Sequence, residues 1–351
     1  MFLTVQELRH NKLKFGALSF IIFLIVFLVL FITGLAAGLA NDSGAAIKNT
    51  PATHFVLQAG SESRLSRSAL TQSDWQALKH QSLTPINVTQ ATIERPKKQT
   101  KTDIAYIAVD ATSFMTPKVT QGQKLSNQAT QKVVVSSKLQ ANGYQLGDTF
   151  KDSTTGQQFK IGGFSKQMAY AHTPVIYLNH HQWQTIFPTQ KTTYNAFASK
   201  RPLSVNKHYQ VISKQTLIDN IPGYSAEQSS LYLMIGFLYV ISLFVLAIFF
   251  YIITLQKLRD FGALKALGTT TRYLSQHIIS EIGLLTAVAI LLAGGIISVI
   301  AQSMPASMPF MLTAPTIIGT SVLFLAVAIL SALLSLIQVI RIDPITAIGG
   351  H

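Results

Sequence analysis

Long apolar stretches alternate with polar segments along this chain of 351 residues. Residues 15–41 and 228–256 contain no charged side chain, and residues 282–340 form an uncharged run long enough to cross a bilayer twice. A spanning helix needs about 20 mostly apolar residues. The pattern therefore predicts an α-helical membrane protein with transmembrane helices at 15–41, 228–256, 273–301 and 315–340.

The polar segment 42–227 predicts an α+β domain inserted between the first and second membrane helices. β-branched and aromatic residues favour strands at 54–58, 104–109, 132–136 and 175–178, and a β-meander over 143–164. Residues 70–78 are typical of a short helix with Thr71 or Ser73 as its N-cap. A second helix is expected at 211–220, broken by Pro222 and Gly223.

The first apolar stretch has two interpretations, an uncleaved anchor or a cleaved signal peptide. Gly38-Leu39-Ala40 resembles a cleavage site. The continuous apolar run before it exceeds the usual 7–15 residues of a signal peptide and favours an anchor. Residues 1–14 form a short amphipathic approach to the membrane, with basic side chains at the headgroups.

Composition narrows the class of protein further. A mean hydropathy of +0.34 with 48% hydrophobic residues is typical of an integral membrane protein. The chain has no cysteine, which excludes disulfides, thiolate catalysis and cysteine-bound metals. No Gly-x-x-x-x-Gly-Lys-Ser/Thr run occurs, so ATP binding through a P-loop is excluded.

Basic residues flanking the spans predict the orientation in the membrane. They precede the first helix, lie between the second and third helices, and follow the fourth at Arg341. This places both termini in the cytoplasm and puts the inserted domain and the loop 302–314 outside. The domain holds 20 of the 28 basic and 10 of the 14 acidic residues, a net charge of +10. This charge would attract anionic lipids or cell-wall polymers, or simply aid solubility, and nucleic acid is not an expected partner.

Residues 257–272 predict a short amphipathic helix at the cytoplasmic surface. Leu258, Phe261 and Leu264 recur at helical spacing, and Gly268 is a helix stop signal. We interpret this segment as a protein-docking helix, with a solvated connector as the alternative. The first membrane helix also carries Gly34 and Gly38 at a spacing that allows close helix packing, either between two chains or within one.

Several motifs resemble the MacB/FtsX-type permeases of ABC transporters. The segment from Leu258 to Gly268 resembles that family's coupling helix, and Arg341-Ile342-Asp343-Pro344 resembles its closing motif. Residues 143–149 resemble the outer-domain strand pair, and Glu281 with Gly294-Gly295 resembles the family's third helix. Residues 8–14 and 221–234 are similar to the heme-exporter and DevC-like branch.

The resemblance implies a permease without enzymatic activity of its own. A second copy of the chain and a cytoplasmic ABC ATPase subunit would be its partners, with membrane lipid around it. ATP and Mg would bind the ATPase subunit, and no cofactor would bind this chain. The residues implied in ATPase coupling are Leu258, Arg259, Phe261, Leu264, Lys265 and Gly268.

A heme-like substrate would need an axial donor, a soft apolar slot and cations for its propionates. The candidates lie near the predicted outer ends of the helices, and each has structural packing as its alternative. Glu227, Tyr232 or Met234 would be axial donors, Lys48 a propionate partner, and Tyr170 would reach down from the domain. The outer loop adds Met304, Met308 and Met311.

Other candidates are weaker. The carboxylate of Glu281 lies well inside a predicted membrane span. As its role we favour anchoring of the third helix or contact with the coupling helix over proton transfer. The histidines have no metal-site spacing. His54 and His172 have two interpretations, heme ligands or surface residues, and we favour the surface role. The rival functions are export of an antibiotic, peptide or lipid, regulation of an extracellular partner by motion alone, and a membrane-anchored enzyme, for which no catalytic motif is found.

Overall fold

The computed structural model describes residues 12–96, 100–190, 193–305 and 308–340. Most of the predicted amphipathic N-terminus, and the whole of the predicted cytoplasmic tail 341–351 with its closing motif, lie outside the described residues. The helices are α1 Lys12–Lys48, α2 Gln72–Leu78, α3 Lys138–Ala141, α4 His180–Ile186, α5 Lys214–Asp219, α6 Tyr224–Gln256, α7 Leu258–Ala266, α8 Thr271–Ser303 and α9 Ala314–Ile340. Short 3-10 turns lie at Leu65–Arg67, Lys79–Gln81 and Pro188–Gln190.

The strands all lie between α1 and α6. They are β1 His54–Gln58, β2 Leu70–Thr71, β3 Thr84–Arg95, β4 Thr100–Val109, β5 Val119–Gly122, β6 Lys132–Ser136, β7 Thr149–Asp152, β8 Gln158–Ser165, β9 Ala169–Tyr170, β10 Thr173–Leu178, β11 Thr193–Tyr194, β12 Ala196–Ser199 and β13 Tyr209–Ser213.

The described chain divides into two compact units. One contains residues up to 37, 230–304 and the chain from 310, and the other contains 38–229 with 305–309. The boundaries therefore fall within α1 and within α6.

The first unit contains the membrane helices. Among the described residues, four helices, α1, α6, α8 and α9, are long and apolar enough to cross a membrane. Small buried side chains on α8 and α9, such as Ala289, Ala293, Ala328 and Ala332, allow these two helices to pack closely. Ser331 donates a hydrogen bond to the Leu243 carbonyl at 3.0 Å, which joins α9 to α6. The prediction of four transmembrane helices with a mixed domain between the first two is confirmed.

The second unit is built on a mixed sheet. Its strand order is β13-β1-β12-β3-β4-β10-β6-β8-β5, with β7 joining β3 and β8, and β9 paired with β10. Two neighbouring pairs are parallel, β4 with β10 and β6 with β8. One face packs on the last turns of α1 and on α5, and the other face packs on α4 through Trp183 and Ile186.

Capping explains why the short helices begin where they do. The Thr71 side chain accepts a hydrogen bond from the Asp74 amide, and the Asp74 carboxylate accepts one from the Thr71 amide, so Thr71 caps α2. Asn179 and Gln182 form the same reciprocal arrangement at α4. The predicted strands at 54–58 and 132–136 and the α2 helix are confirmed.

Two local predictions were wrong. Residues 211–213 form the end of β13 instead of a helix, because the β-branched Val211 and Ile212 pair with Val56 and Phe55 of β1. Tyr144 to Leu146, expected as a strand of the meander, form an irregular segment instead. It is bounded by Gly143 and Gly147 with φ of +80° and +87°, which a strand does not accept.

Candidate functional site

The predicted coupling helix is α7, and glycine ends it. Gly268 has a φ of +92° and follows the C-cap residue Leu267. The Gly268 amide donates to the Lys265 carbonyl, and the Thr269 amide donates to the Leu264 carbonyl, both at 3.0 Å. This pair of bonds is a Schellman motif, in which glycine supplies the left-handed backbone. The predicted helix stop at Gly268 is confirmed.

The helix α7 has a buried and an exposed face. Phe261 is 2% exposed and packs in the core of the membrane unit, with Leu264 partly buried beside it. Arg259, Ala263 and Leu267 are exposed, and Leu267 reaches 84%. Phe261 and Leu264 therefore hold α7 against the bundle, while the opposite face is open to a partner.

An ion pair ties the start of α7 to α8. Nζ of Lys257 lies 2.9 Å from each carboxylate oxygen of Glu281, and the two side chains are 14% and 5% exposed. Nζ also lies 5.2 Å from the ring centroid of Phe15 on α1. Charges this poorly solvated are stable only when paired. Glu281 thus contacts the coupling segment, the role favoured over proton transfer.

A second polar group, which we call the His172 cluster, lies in the inserted domain and comprises Asp42, Ser43, Lys138, His172 and Glu227. Nε2 of His172 lies 3.2 Å from the Glu227 carboxylate and 2.8 Å from Oγ of Ser43. Lys138 donates to the Asp42 carboxylate, and both side chains are nearly buried. The cluster joins the β9–β10 turn to the last turns of α1 and the first turn of α6.

The β9–β10 turn is shaped to make these contacts. Ala171 and His172 have φ of +46° and +64°, the left-handed pair that a two-residue hairpin requires. The Ala171 amide donates to the Ser43 carbonyl at 2.8 Å, and the His172 amide to the Asp42 carbonyl at 3.2 Å. Left-handed backbone is unfavourable for both residue types, so the contacts with α1 compensate for local strain.

The predicted substrate residues are divided between the two units. Lys48, Tyr170, Glu227 and Met308 lie in the inserted-domain unit, and Tyr232, Met234, Met304 and Met311 lie in the membrane unit. Tyr232, Met234 and Met308 are exposed, at 66%, 48% and 41%. Tyr170 is 7% exposed within the sheet core, where desolvation raises the pKa of its hydroxyl to about 12. Their roles toward substrate stay predictions.

Gly34 has a neighbour within the chain. A side chain at this position would meet the Phe310 ring at 2.5 Å, and the Met311 amide donates to the Gly34 carbonyl at 3.0 Å. This favours packing within one chain at Gly34. A contact between two chains at Gly34 and Gly38 stays a prediction.

Sequence reasoning did not find the residues that complete these sites. Lys257 was placed in the polar part of the segment 257–272 without a partner, and Asp42 and Lys138 were not singled out. Asp42 and Lys138 are 96 positions apart, and Ser43 and His172 are 129 positions apart, so no local spacing signals their contact. Across the described ranges, no three His, Asp or Glu side chains are grouped to hold a metal ion.

Comparisons with known proteins place the chain in a family of permeases. Residues 232–344 match the family model described as FtsX-like permease C-terminal. The whole chain is 34% identical to a protein named as the permease HrtB of a hemin transport system in Staphylococcus haemolyticus, over 99% of that protein. A Staphylococcus epidermidis protein of the same name is 31% identical, also over 100% of this chain and 99% of its own length.

More distant matches include an uncharacterized ABC transporter permease of Mycobacterium tuberculosis, 24% identical over 67% of this chain and 65% of its own length. The extracellular domain of the noncanonical ABC-type transporter YknZ from Gram-positive bacteria matches 46% of this chain and 99% of that domain. Its TM-score is 0.36 and its identity is 16%. By its full-length identity, the chain belongs to the MacB/FtsX-type permeases of ABC transporters, in the branch that contains HrtB.

Proposed function

We propose that this chain is the permease subunit of an ATP-driven exporter that expels hemin, or a similar flat amphiphile, from the outer leaflet of the cell membrane. The choice of substrate is supported by the full-length identity of 34% and 31% to proteins named as hemin transport permeases. The observation that carries the mechanism is the α7 helix, held on the bundle by one face and open on the other.

In the proposed mechanism, the conformational change begins at α7. A cytoplasmic ABC ATPase docks on the exposed face that includes Arg259, Ala263 and Leu267. When the ATPases close, α7 moves as one short helix, which begins after Lys257 and ends at Gly268. The Lys257–Glu281 ion pair passes this movement to α8, since breaking a poorly solvated pair is costly.

Two copies of the chain form the proposed working unit. The helix α6 leaves a broad apolar face uncovered in the single chain, including Tyr232, Phe237, Phe244 and Ile248. A second copy on part of this face would create a slot between two α6 helices, with lipid over the remainder. Helices in lipid associate through close packing and hydrogen bonds, so such a slot can open and close around an apolar ligand.

Orientation follows from the basic flanks of the helices. We place the termini and α7 in the cytoplasm and the inserted domain outside. Glu227, Tyr232 and Met234 then lie near the outer end of α6 and supply candidate axial donors for a heme iron. Lys48, at the end of α1, supplies a cation for a propionate, and Met304, Met308 and Met311 supply soft contacts.

The test is hemin-stimulated ATP hydrolysis by the chain reconstituted with its ATPase subunit in nanodiscs. A macrolide and a lipopeptide serve as controls for substrate choice. We expect stimulation by hemin alone, and the variant Leu267→Glu should abolish both stimulation and co-purification of the ATPase. Stimulation by no substrate, with an extracellular protein captured instead, would favour transmission of motion to a partner and contradict export.

A further inference from the structure

A polar cavity in the inserted domain lies between the end of β3 and the loop that precedes β7. Its volume is about 350 Å³, and its walls include Arg95, Pro96, Gly143, Gly147, Asp148 and Thr149. None of these residues belongs to the His172 cluster or to the predicted substrate residues. The cavity is therefore separate from the sites described above.

Arg95 is the charged residue of this cavity that is most fully buried. The residue is 9% exposed, and its guanidinium carbon lies 3.8 Å from the centroid of the Tyr144 ring, itself 3% exposed. Stacking on an aromatic face is a geometry that suits arginine and holds its planar group in one orientation. The cation is thus preorganised before any ligand arrives.

The hydrogen-bonding capacity of Arg95 is largely unused. Within the part of the chain that the structure describes, its buried Nε and Nη2 atoms have no hydrogen-bond partner. Nη2 lies 3.9 Å from Oδ2 of Asp148, beyond hydrogen-bond distance, and that oxygen instead accepts from the Gln145 amide at 3.0 Å. Buried polar atoms are normally satisfied, so two unpaired donors on one buried guanidinium are unusual and indicate a missing acceptor.

The loop around the cavity is built from backbone that only glycine adopts easily. Gly143 and Gly147 have φ of +80° and +87°. A Cβ atom at Gly143 would lie 3.8 Å from Nη1 of Arg95, so glycine leaves this side of the guanidinium uncovered. The walls also hold acceptors for a ligand's donor groups, the Asp148 carboxylate and the Thr149 hydroxyl.

We propose that this cavity binds an oxyanion, a carboxylate or phosphate, carried on a small hydroxylated or amino-bearing molecule such as a sugar acid or a polyol phosphate. The guanidinium of Arg95 supplies the cation for this anionic group, with Nη1 on the Gly143 side of the cavity. Asp148 then accepts from a hydroxyl or ammonium group next to the anion and disfavours a bare anion. The net charge of +10 on residues 42–227 would concentrate such ligands at the domain. The proposal does not depend on the transported substrate.

The experiment is isothermal titration of the full-length chain in nanodiscs of neutral lipid. The probes are glycerol phosphate and galacturonate as the two anion arms, inorganic phosphate as the bare anion, and glycerol as the neutral control. We expect one or both hydroxylated anions to bind more tightly than inorganic phosphate, and glycerol not to bind. Binding of glycerol phosphate would assign the anionic group as a phosphate, and binding of galacturonate would assign it as a carboxylate.

Two variants give opposite expected results. Arg95→Gln should weaken binding about tenfold or more, since a charge-assisted hydrogen bond is lost. Asp148→Asn keeps an acceptor for the Gln145 amide and should tighten inorganic phosphate severalfold, because a repelling charge is removed. Arg201→Gln removes an exposed cation outside the cavity and should change neither the affinity for the hydroxylated anions nor that for inorganic phosphate. No binding by any anion, or unchanged affinity in both Arg95→Gln and Asp148→Asn, would overturn the proposal.

Discussion

Lys257 and Glu281 form an ion pair with both carboxylate oxygens 2.9 Å from the ammonium nitrogen, although 24 positions separate them. Lys257 directly precedes α7, and Glu281 lies inside α8. The contact joins the start of the predicted coupling helix to a membrane helix. It is also the contact whose loss should separate ATP hydrolysis from transport.

Removing one partner of this pair should destabilise the membrane unit and uncouple ATP hydrolysis from transport. Glu281→Gln or Lys257→Met removes the ion pair from a poorly solvated charge, at a cost of about 3–5 kcal/mol. The double variant Lys257→Met/Glu281→Leu should recover most of the thermal stability without restoring hemin-stimulated ATPase activity. Arg272→Gln, which removes an exposed charge at the start of α8, is the control. Equal melting temperatures for single variants and control would contradict this role.

Gly268→Ala should weaken the end of the coupling helix. A side chain at a φ of +92° costs about 1–2 kcal/mol, and no heavy atom lies within 4 Å to add a clash. Gly236→Ala, inside α6 and equally free of neighbours, should be neutral or stabilising because alanine favours helix. Thermal unfolding and ATPase stimulation, measured on both variants, separate backbone strain from the simple addition of a methyl group.

The inserted domain should lose stability as pH falls through about 6.5. Desolvation lowers the pKa of His180 below its usual 6.5, and the nearby Asp110 carboxylate and the Pro85 carbonyl offset this only in part. Above pH 6.5 both folded and unfolded states are neutral at this ring, and below it the unfolded state binds the proton that the folded state resists. Stability is therefore full above pH 6.5 and declines on acidification.

Hydrogen exchange of α4 and β11 in the full-length protein at pH 7.5 and 5.5 measures this effect. His180→Phe keeps an aromatic ring against Tyr194, whose centroid lies 5.6 Å away, and should flatten the pH dependence. The matched control is His181→Gln, at the exposed neighbouring position, which should leave the pH dependence of hydrogen exchange unchanged. A steeper decline in His180→Phe than in the native chain would contradict the assignment.

The Lys138–Asp42 pair should stabilise the attachment of the β9–β10 turn to α1. Lys138→Met leaves the nearly buried Asp42 carboxylate without its cation, and Asp42→Asn leaves the ammonium group without its anion. Each single variant should speed hydrogen exchange at Ala171 and His172. The double variant should lose less free energy of unfolding than the two single variants added together. The difference, the coupling energy of the pair, should be about 1–3 kcal/mol. Strictly additive costs would show that the pair makes no net contribution.

Cysteine crosslinking tests the proposed dimer on a background without native cysteines. Phe237 and Phe244 lie seven positions apart on α6 and are 60% and 61% exposed. Phe237→Cys or Phe244→Cys should give an oxidised band at about twice 38.4 kDa in membranes. Leu330→Cys on α9, at a position 54% exposed, should stay monomeric. Crosslinking at Leu330→Cys alone would place the interface on α9.

The elements set by local patterns could be predicted from the sequence. Uncharged runs of sufficient length define the membrane helices, and runs of apolar residues, Phe-Val-Leu in β1 and three valines in β6, define these strands. Thr71 and Gly268 mark helix ends through bonds that span three to five positions. Predictions failed where a local preference competed with a distant partner, as at Val211, which pairs with Val56 of β1.

The sequence by itself determined the class of protein, the short helix after α6 and its end at Gly268, because hydrophobic length and helix capping act over one or a few turns. Only the tertiary structure decided that Lys257 pairs with Glu281, that His172 lies beside Glu227, and that Arg95 is buried with two unpaired donors. These depend on where sheets and helices bring distant side chains together. Ion pairs and buried polar atoms are stabilised or destabilised by desolvation, which the folded packing alone establishes.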